Sequence, residues 1–250
     1  MKTWRLWYAM FTAGALWMMT SGCGGTAVAK QPMIPGHQYI VGIDLSASRS
    51  KQAVDESRRL LGDLVDTKLA NGDQLVLIEM YGGAASAEHQ WMDTVANVRT
   101  PGKLTPIDRR KLDEFRQEAH QVIDAVYNAA AATKIERTDI LGTLTRASDY
   151  AKAGAGRRST VVLLSDMENS TAEVEMAHVV PARDWIATRK AANRLPDLGG
   201  VCVVVSGANA ATAHGSRIRE FWFEYFSQTG AQLPGTNYRE FIPVANEVHC

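Results

Sequence analysis

The sequence has no excess of charge of either sign, because 27 lysine and arginine residues balance 27 aspartate and glutamate residues. A protein that binds nucleic acid needs a basic surface, so this balance argues against a nucleic-acid partner. Apolar residues make up 46% of the chain and charged residues 22%, which is ordinary for a folded domain of 250 residues. Function therefore has to be sought in local motifs.

The sequence also lacks the short motifs of several enzyme classes. Its six histidines form no HExxH pair, and it has neither a GxSxG nucleophile motif nor a phosphate-binding P-loop. No repeat with a period of roughly 20 to 50 residues is present, which argues against solenoids and propellers. These absences disfavour zinc proteases, α/β-hydrolases and P-loop enzymes.

The apolar run near the N-terminus, residues 6–19, is too short to cross a bilayer, since a spanning helix needs about 20 residues. It follows Lys2 and Arg5 and precedes a stretch of small residues, a pattern that predicts a signal peptide over residues 1–22.

Cys23 directly follows this segment and resembles the acylated cysteine of bacterial lipoproteins, although Thr20 stands where that family usually has leucine. The resemblance implies a lipid anchor at the bacterial cell envelope, with the outer membrane facing the periplasm as the expected location. An ordinary secretory signal with an incidental cysteine is the alternative. Residues 23–37 have no hydrophobic periodicity and are predicted to form a tether, so that the folded domain spans residues 38–250.

Two further cysteines, Cys202 and Cys250, lie within this domain. An oxidising envelope would allow them to pair. Cys202, however, sits among valines, where a small thiol packs well without a partner, so the favoured interpretation is a buried free thiol.

Short apolar runs alternate with longer segments at helical spacing, which predicts an α/β domain with a mainly parallel sheet. The predicted strands span residues 39–43, 74–80, 90–98, 160–164, 201–205 and 241–244. The predicted helices span residues 50–70, 105–134, 140–154, 181–194 and 216–229. Aromatic residues of the last helix, including Phe221 and Trp222, recur at helical spacing and are assigned to the core.

Two of the apolar strands end in a turn that carries an aspartate. Asp44 follows the first strand and Asp166 follows the fourth. Because ligands bind outside the carboxyl ends of strands in an open parallel sheet, we expect the two carboxylates to converge. The hydroxyls of Ser46 and Ser48 alternate with Asp44 on the same loop, and oxygen ligands with few charges suit Mg²⁺ or Mn²⁺.

The stretch Asp44-Leu-Ser46-Ala-Ser48 resembles the DxSxS motif of von Willebrand factor A (vWA) domains. Thr138 and Asp166 match the threonine and the aspartate that complete the metal-ion-dependent adhesion site of that family. The resemblance implies a three-layer α/β/α Rossmann-like fold around a six-stranded, mainly parallel sheet with one antiparallel edge strand. It also implies that the three hydroxyls bind the metal directly, while both aspartates act largely through bound water.

The chain departs from this family at the loops around the site. Met167 stands where a glycine is common, and Glu136 and Arg137 precede the threonine in place of small residues. Arg49 and Glu168 lie close to the motif in sequence and are candidate contacts to a ligand.

The resemblance implies a recognition protein, in which a second envelope protein supplies a Glu or Asp carboxylate to the metal. One alternative is a magnesium-dependent hydrolase or phosphatase-like enzyme that uses Asp44. Ser46 weakens it, because haloacid-dehalogenase-like phosphatases have a second acid at that position. Another alternative is a vWA scaffold with a degenerate site that holds no metal.

Overall fold

The computed structural model describes residues 36–70, 72–81, 90–94, 104–133, 135–154 and 156–250. The predicted signal peptide, the proposed lipidation at Cys23 and the tether as far as residue 35 lie outside the described residues. Within the part of the chain that is described, no helix has both the length and the apolar character needed to cross a membrane.

Six strands form one sheet in the order β3-β2-β1-β4-β5-β6. They are β1 His37–Ile43, β2 Gln74–Glu79, β3 Gln90–Thr94, β4 Arg158–Leu164, β5 Cys202–Ser206 and β6 Tyr238–Arg239. Neighbouring strands run parallel except for the edge strand β3, which is antiparallel to β2. The most apolar strands lie in the centre, where helices cover both faces. The predicted mainly parallel sheet with one antiparallel edge strand is confirmed.

Helices pack on both faces of this sheet. They are α1 Lys51–Asp63, which continues as a π-helical turn Leu64–Lys68, α2 Pro106–Ala132, α3 Ile140–Ala153, α4 Arg183–Ala191 and α5 Ala213–Thr229. Alternate residues of the strands contribute to two apolar clusters, one with α1 and α2 and the other with α3, α4 and α5. The predicted three-layer α/β/α fold is therefore confirmed, and Phe221 and Trp222 are core residues.

The ends of the helices follow the capping signals in the sequence. Ser50 Oγ accepts a hydrogen bond from Ala53 N at 3.1 Å, which satisfies a free N–H group at the start of α1. Thr105 and Asp108 form a reciprocal capping box at the start of α2. Gly230 ends α5 with a φ of 77°, a left-handed conformation that glycine adopts at low cost.

The predicted sixth strand, residues 241–244, is wrong. Strand β6 is Tyr238–Arg239 instead, and it pairs with Val205 and Ser206 of β5. Pro243 has no N–H group to give to a sheet, and the Ile242 N–H group donates to Ser206 Oγ rather than to a strand carbonyl.

The expectation of a free Cys202 thiol is also wrong, because Cys202 forms a disulfide with Cys250. The chain after β6 packs against the face covered by α1 and α2, with Ile242, Ala245 and Val248 in the apolar cluster there. This path brings the two Cα atoms to 5.7 Å across a sequence separation of 48 residues. The residues next to Cys202 in the sequence give no signal that the C-terminal segment packs beside β5.

Candidate functional site

The site lies at the carboxyl ends of β1 and β4, the two central strands. Ile43 pairs with Leu164 in the parallel register, and Asp44 N donates to Leu164 O at 3.0 Å. The connection from β1 leads to β2 on one side, whereas β4 lies on the other side. The strand order reverses here, which is where open α/β sheets form their binding crevices.

Asp44 is completely buried and accepts hydrogen bonds on both carboxylate oxygens. Oδ1 accepts from Ser46 N at 3.0 Å and from the Thr138 hydroxyl at 3.2 Å. Oδ2 accepts from the Ser165 hydroxyl at 2.8 Å. Asp44 is thus the common acceptor of three loops, and these bonds offset part of the cost of burying its charge.

The two serines of the motif link Asp44 to the second aspartate. Ser46 Oγ and Ser48 Oγ are 2.8 Å apart, and the Ser48 hydroxyl donates to Asp166 Oδ2 at 3.1 Å. Ser46 is buried, whereas Ser48 is exposed. The structure therefore brings all five predicted residues, Thr138 included, into one continuous network of contacts that reaches the surface at Ser48.

Thr138 is held from both sides by backbone hydrogen bonds. Asp139 N donates to Met80 O at 3.0 Å, at the end of β2, and Ser170 N donates to Thr138 O at 2.8 Å. The threonine is 2% exposed, so its hydroxyl has little freedom to leave the site. Its position depends on β2 and on the loop after β4.

Asn169 fixes that loop against α3. Its Oδ1 accepts from the N–H groups of Ile140 and Leu141 at 3.0 and 3.1 Å, which caps the first turn of the helix. Its Nδ2 donates to Val174 O at 3.0 Å. Sequence reasoning missed this residue, because a cap contributed by a residue 28 positions away leaves no local signal.

Met167 adopts a left-handed backbone conformation. Its φ is 69°, a left-handed value that costs a non-glycine residue about 1 to 2 kcal/mol. Its fully buried side chain joins the apolar cluster beneath α5, and its carbonyl accepts from Trp222 Nε1 at 2.8 Å. Burial of the side chain and this hydrogen bond offset the strain.

The Arg49 side chain is buried, and its guanidinium forms hydrogen bonds with other residues of the chain. Its Nη1 donates to the carbonyls of Asp44 and Leu164 at 2.9 and 3.0 Å, at the ends of β1 and β4. Its Nη2 donates to Ala53 O and to Ser57 Oγ. The guanidinium thus holds the two strand ends together, and the role of Arg49 as a ligand contact stays a prediction.

Asp166 has a carboxyl group whose pKa is shifted by its surroundings in the site. Burial and the nearby Asp44 carboxylate raise the pKa of Asp166 to about 6, and Glu168 adds to the repulsion. Hydrogen bonds from Glu168 N and from the Ser48 hydroxyl oppose this rise. Glu168 is half-buried, and its role as a ligand contact stays a prediction.

The available donor atoms limit what the site could hold. Among the described residues, no group of three or more His, Cys, Asp or Glu side chains converges. The site instead combines two carboxylates with three hydroxyls, a set of hard oxygen atoms with low charge. Such a set fits Mg²⁺ or Mn²⁺ better than Zn²⁺ or Cu²⁺.

Ser165 is a further residue that sequence reasoning did not assign to the site. It lies next to Asp166 in the sequence, yet its hydroxyl donates to Asp44 Oδ2 and accepts from Met167 N at 2.9 Å. A polar residue directly after an apolar strand was the available signal.

No family model and no curated protein sequence matches this chain. Three solved structures illustrate its structural similarities. An aerotolerance-related membrane protein from Bacteroides fragilis is 16% identical, covers 81% of this chain and 94% of its own, and has a TM-score of 0.43. The pilus adhesin SpaC from Lactobacillus rhamnosus GG, in its open conformation, is 12% identical over 88% of this chain and 29% of its own, with a TM-score of 0.46.

The manganese-loaded TRAP protein from Plasmodium vivax is 12% identical over 85% of this chain and 70% of its own, with a TM-score of 0.40. Similarities at this level concern the fold alone and carry no inference about function. The sheet order, with β3 antiparallel at one edge, is itself the arrangement that the vWA resemblance implies. The chain therefore has a vWA-like three-layer α/β fold.

Proposed function

We propose that this protein binds Mg²⁺ or Mn²⁺ at the carboxyl ends of β1 and β4 and uses the cation to recognise an acidic residue of a partner protein. Ser46, Ser48 and Thr138 would hold the metal directly, with both aspartates acting mainly through water. The bound metal would still attract an anion, because its direct ligands in the protein carry little negative charge. The protein would act as an adhesion or scaffold component and not as an enzyme.

The contacts of two hydroxyls with the two carboxylates are the observation that carries this proposal, because an ionised carboxylate can only accept a hydrogen bond. A hydroxyl oxygen can bind a cation only through a lone pair, so its proton needs another acceptor. Thr138 donates its proton to Asp44, and Ser48 donates its proton to Asp166. The Thr138 oxygen therefore keeps its lone pairs for another atom, and the Ser48 oxygen keeps one lone pair besides the one that accepts from Ser46 Oγ.

The electrostatics of the two aspartates support the same proposal. Their carboxylates are close enough for the charge of Asp44 to raise the pKa of Asp166. A divalent cation placed between them would offset that repulsion.

A position in the bacterial cell envelope, with Cys23 as the lipid anchor, is part of the proposal. The signal-like residues 1–22 support export of the chain. The Cys202–Cys250 disulfide is consistent with an oxidising compartment such as the periplasm. The partner would then be another envelope protein.

One observation favours a second candidate, a scaffold that holds no metal. Both carboxylate oxygens of Asp44 already accept hydrogen bonds from the chain, three in all, so Asp44 has a role as an anchor for the surrounding loops even without a metal. Direct measurement of metal binding separates the two candidates.

The test is Mn²⁺ binding by the purified protein, followed by electron paramagnetic resonance of the free ion. We expect one bound Mn²⁺ per chain, displaced by excess Mg²⁺. Replacement of both Ser46 and Ser48 by alanine should weaken binding at least about tenfold, or about 1.4 kcal/mol. Ser50→Ala is the matched control, since Ser50 caps α1 and is not part of the network.

Absence of Mn²⁺ binding by the unchanged protein would favour the metal-free scaffold. Capture of a protein from envelope extracts should in addition be lost on chelation and in the double serine variant. Hydrolysis of a phosphoester that disappears with Asp44→Asn would instead establish the enzyme alternative.

Metal affinity should also depend on pH. The pKa of Asp166 is raised to about 6, above its ordinary value, so the folded metal-free chain retains this proton until the pH exceeds about 6. A bound cation requires the carboxylate, so the apparent affinity for Mn²⁺ should fall about tenfold per pH unit below pH 6 and level off above it. Titrations between pH 5 and pH 8 measure this dependence, and the profile of Asp166→Asn should be flatter. A flat profile in the unchanged protein contradicts the assignment.

A further inference from the structure

An open cleft of about 370 Å³ lies beside the proposed metal site. Its walls are the end of β2, with Glu79, the last turns of α2, with Ala129 and Ala130, and the segment that leads to Thr138, with Ile135. The cleft is large enough for one long side chain but not for a folded element. It forms no part of the network around Asp44.

The cleft is physically connected to the metal loop. Ile135 O accepts a hydrogen bond from Ala47 N at 2.9 Å, and Ala47 lies between the two serines of the motif. Glu79 pairs with Ile43 in the register of β1 and β2, one residue before Asp44. A partner that reaches the metal would therefore cover the cleft with the residues next to its acid.

The residues that line the cleft indicate which kind of side chain would bind there. Glu79 is half-buried, and its carboxylate makes no hydrogen bond or ion pair with any residue that the structure describes. Glu136 and Arg137 also line the cleft, but both are exposed and their charges cancel. A half-buried negative charge beside the apolar side chains of Ala129, Ala130 and Ile135 complements a side chain with an aliphatic stem and a cationic end.

We propose that the cleft binds a lysine or arginine side chain of the partner protein, so that the partner is recognised by an acid and a base together. The acid would occupy the metal, and the base would pair with Glu79 while its stem packs against Ala129 and Ala130. This inference rests on the proposed function, because it uses the metal-bound acid to place the partner.

The first test needs no metal and uses n-butylguanidinium as the probe. We expect saturable shifts of the Ala129 and Ala130 methyl signals in NMR spectra of the protein with chelator present. Glu79→Gln should remove them, whereas Glu136→Gln on the same wall should preserve them. Absence of saturable shifts, or shifts unchanged in Glu79→Gln, overturns the proposal.

The second test uses peptides in the presence of saturating Mg²⁺. Each peptide has one Asp and one Lys, separated by one to four residues, and a matched peptide has norleucine in place of Lys. At the best spacing the Lys peptide should bind at least about tenfold more tightly, and Glu79→Gln should abolish this preference. Lack of a preference at every spacing overturns the cleft assignment while Mn²⁺ binding persists. Loss of Mn²⁺ binding itself would instead count against the proposed function.

Discussion

Replacement of Asp44 by alanine is expected to abolish Mn²⁺ binding and to lower the free energy of unfolding by at least about 3 kcal/mol. The carboxylate is fully buried and accepts hydrogen bonds from Ser46 N and from the hydroxyls of Thr138 and Ser165. Alanine would leave three donors from three loops without an acceptor, and the loss of a buried partner costs about 1 to 3 kcal/mol per group. Urea unfolding and Mn²⁺ titration measure the two effects.

Asp166→Asn provides a matched comparison, since it changes the other aspartate of the same site. Burial and the charge of Asp44 raise the pKa of Asp166, which means that the folded chain disfavours its ionised form. A neutral amide should therefore change the stability of the metal-free protein at pH 7 by less than about 1 kcal/mol, or increase it. Metal binding should nevertheless be weakened.

The pair thus separates the structural role of Asp44 from the binding role of the site. Equal losses of stability in both variants would contradict the assignment of Asp44 as the common anchor. Unchanged Mn²⁺ binding in either variant would contradict the metal site itself.

Reduction of the Cys202–Cys250 disulfide is expected to cost about 4 kcal/mol of stability. The bond closes a loop of 48 residues, and the chain-entropy account assigns about 4 kcal/mol to a closure of that length. It also ties the C-terminal segment to the start of β5, and Asn237, directly before β6, adds a hydrogen bond from its Nδ2 to His249 O at 2.8 Å. Loss of the bond should release that segment from the face covered by α1 and α2.

Urea unfolding with and without a reductant measures this contribution. The double variant Cys202→Ala with Cys250→Ala is the control, because it should match the reduced protein and be insensitive to the reductant. An unfolding midpoint that does not change on reduction would contradict a structural role for the disulfide. Mn²⁺ binding should be unaffected as long as the chain stays folded, since the bond lies at the opposite end of β5 from Ser206.

Prediction from the sequence succeeded where the signal is local. The apolar runs that predict the central strands and the helical spacing that predicts the helices each relate residues only a few positions apart. The motif at Asp44 belongs to the same class, because three of its oxygen-bearing side chains lie within five residues. The convergence with Asp166 followed from the rule that parallel strands share one carboxyl edge.

Prediction failed where a distant part of the chain decides the outcome. The sequence of residues 241–244 resembles an edge strand, but the hydrogen bond of Ile242 N with Ser206 Oγ and the shorter pairing at Tyr238 replace it. The position of the Arg49 guanidinium is likewise decided by distant residues, because it donates to the carbonyls of Asp44 and Leu164 at the two strand ends.

The sequence by itself determined the α/β class, the central strands and the residues that meet at their carboxyl edge, because apolar periodicity and turn residues act over short distances and parallel strands share one carboxyl edge. Only the tertiary structure decided how those residues are held. Four features depend on contacts between residues that are far apart in the sequence. They are the Asn169 cap on α3, the hydrogen bond of the left-handed Met167 with Trp222, the hydrogen bond of Ser165 with Asp44, and the disulfide. Their partners become neighbours only when the chain has packed around both faces of the sheet.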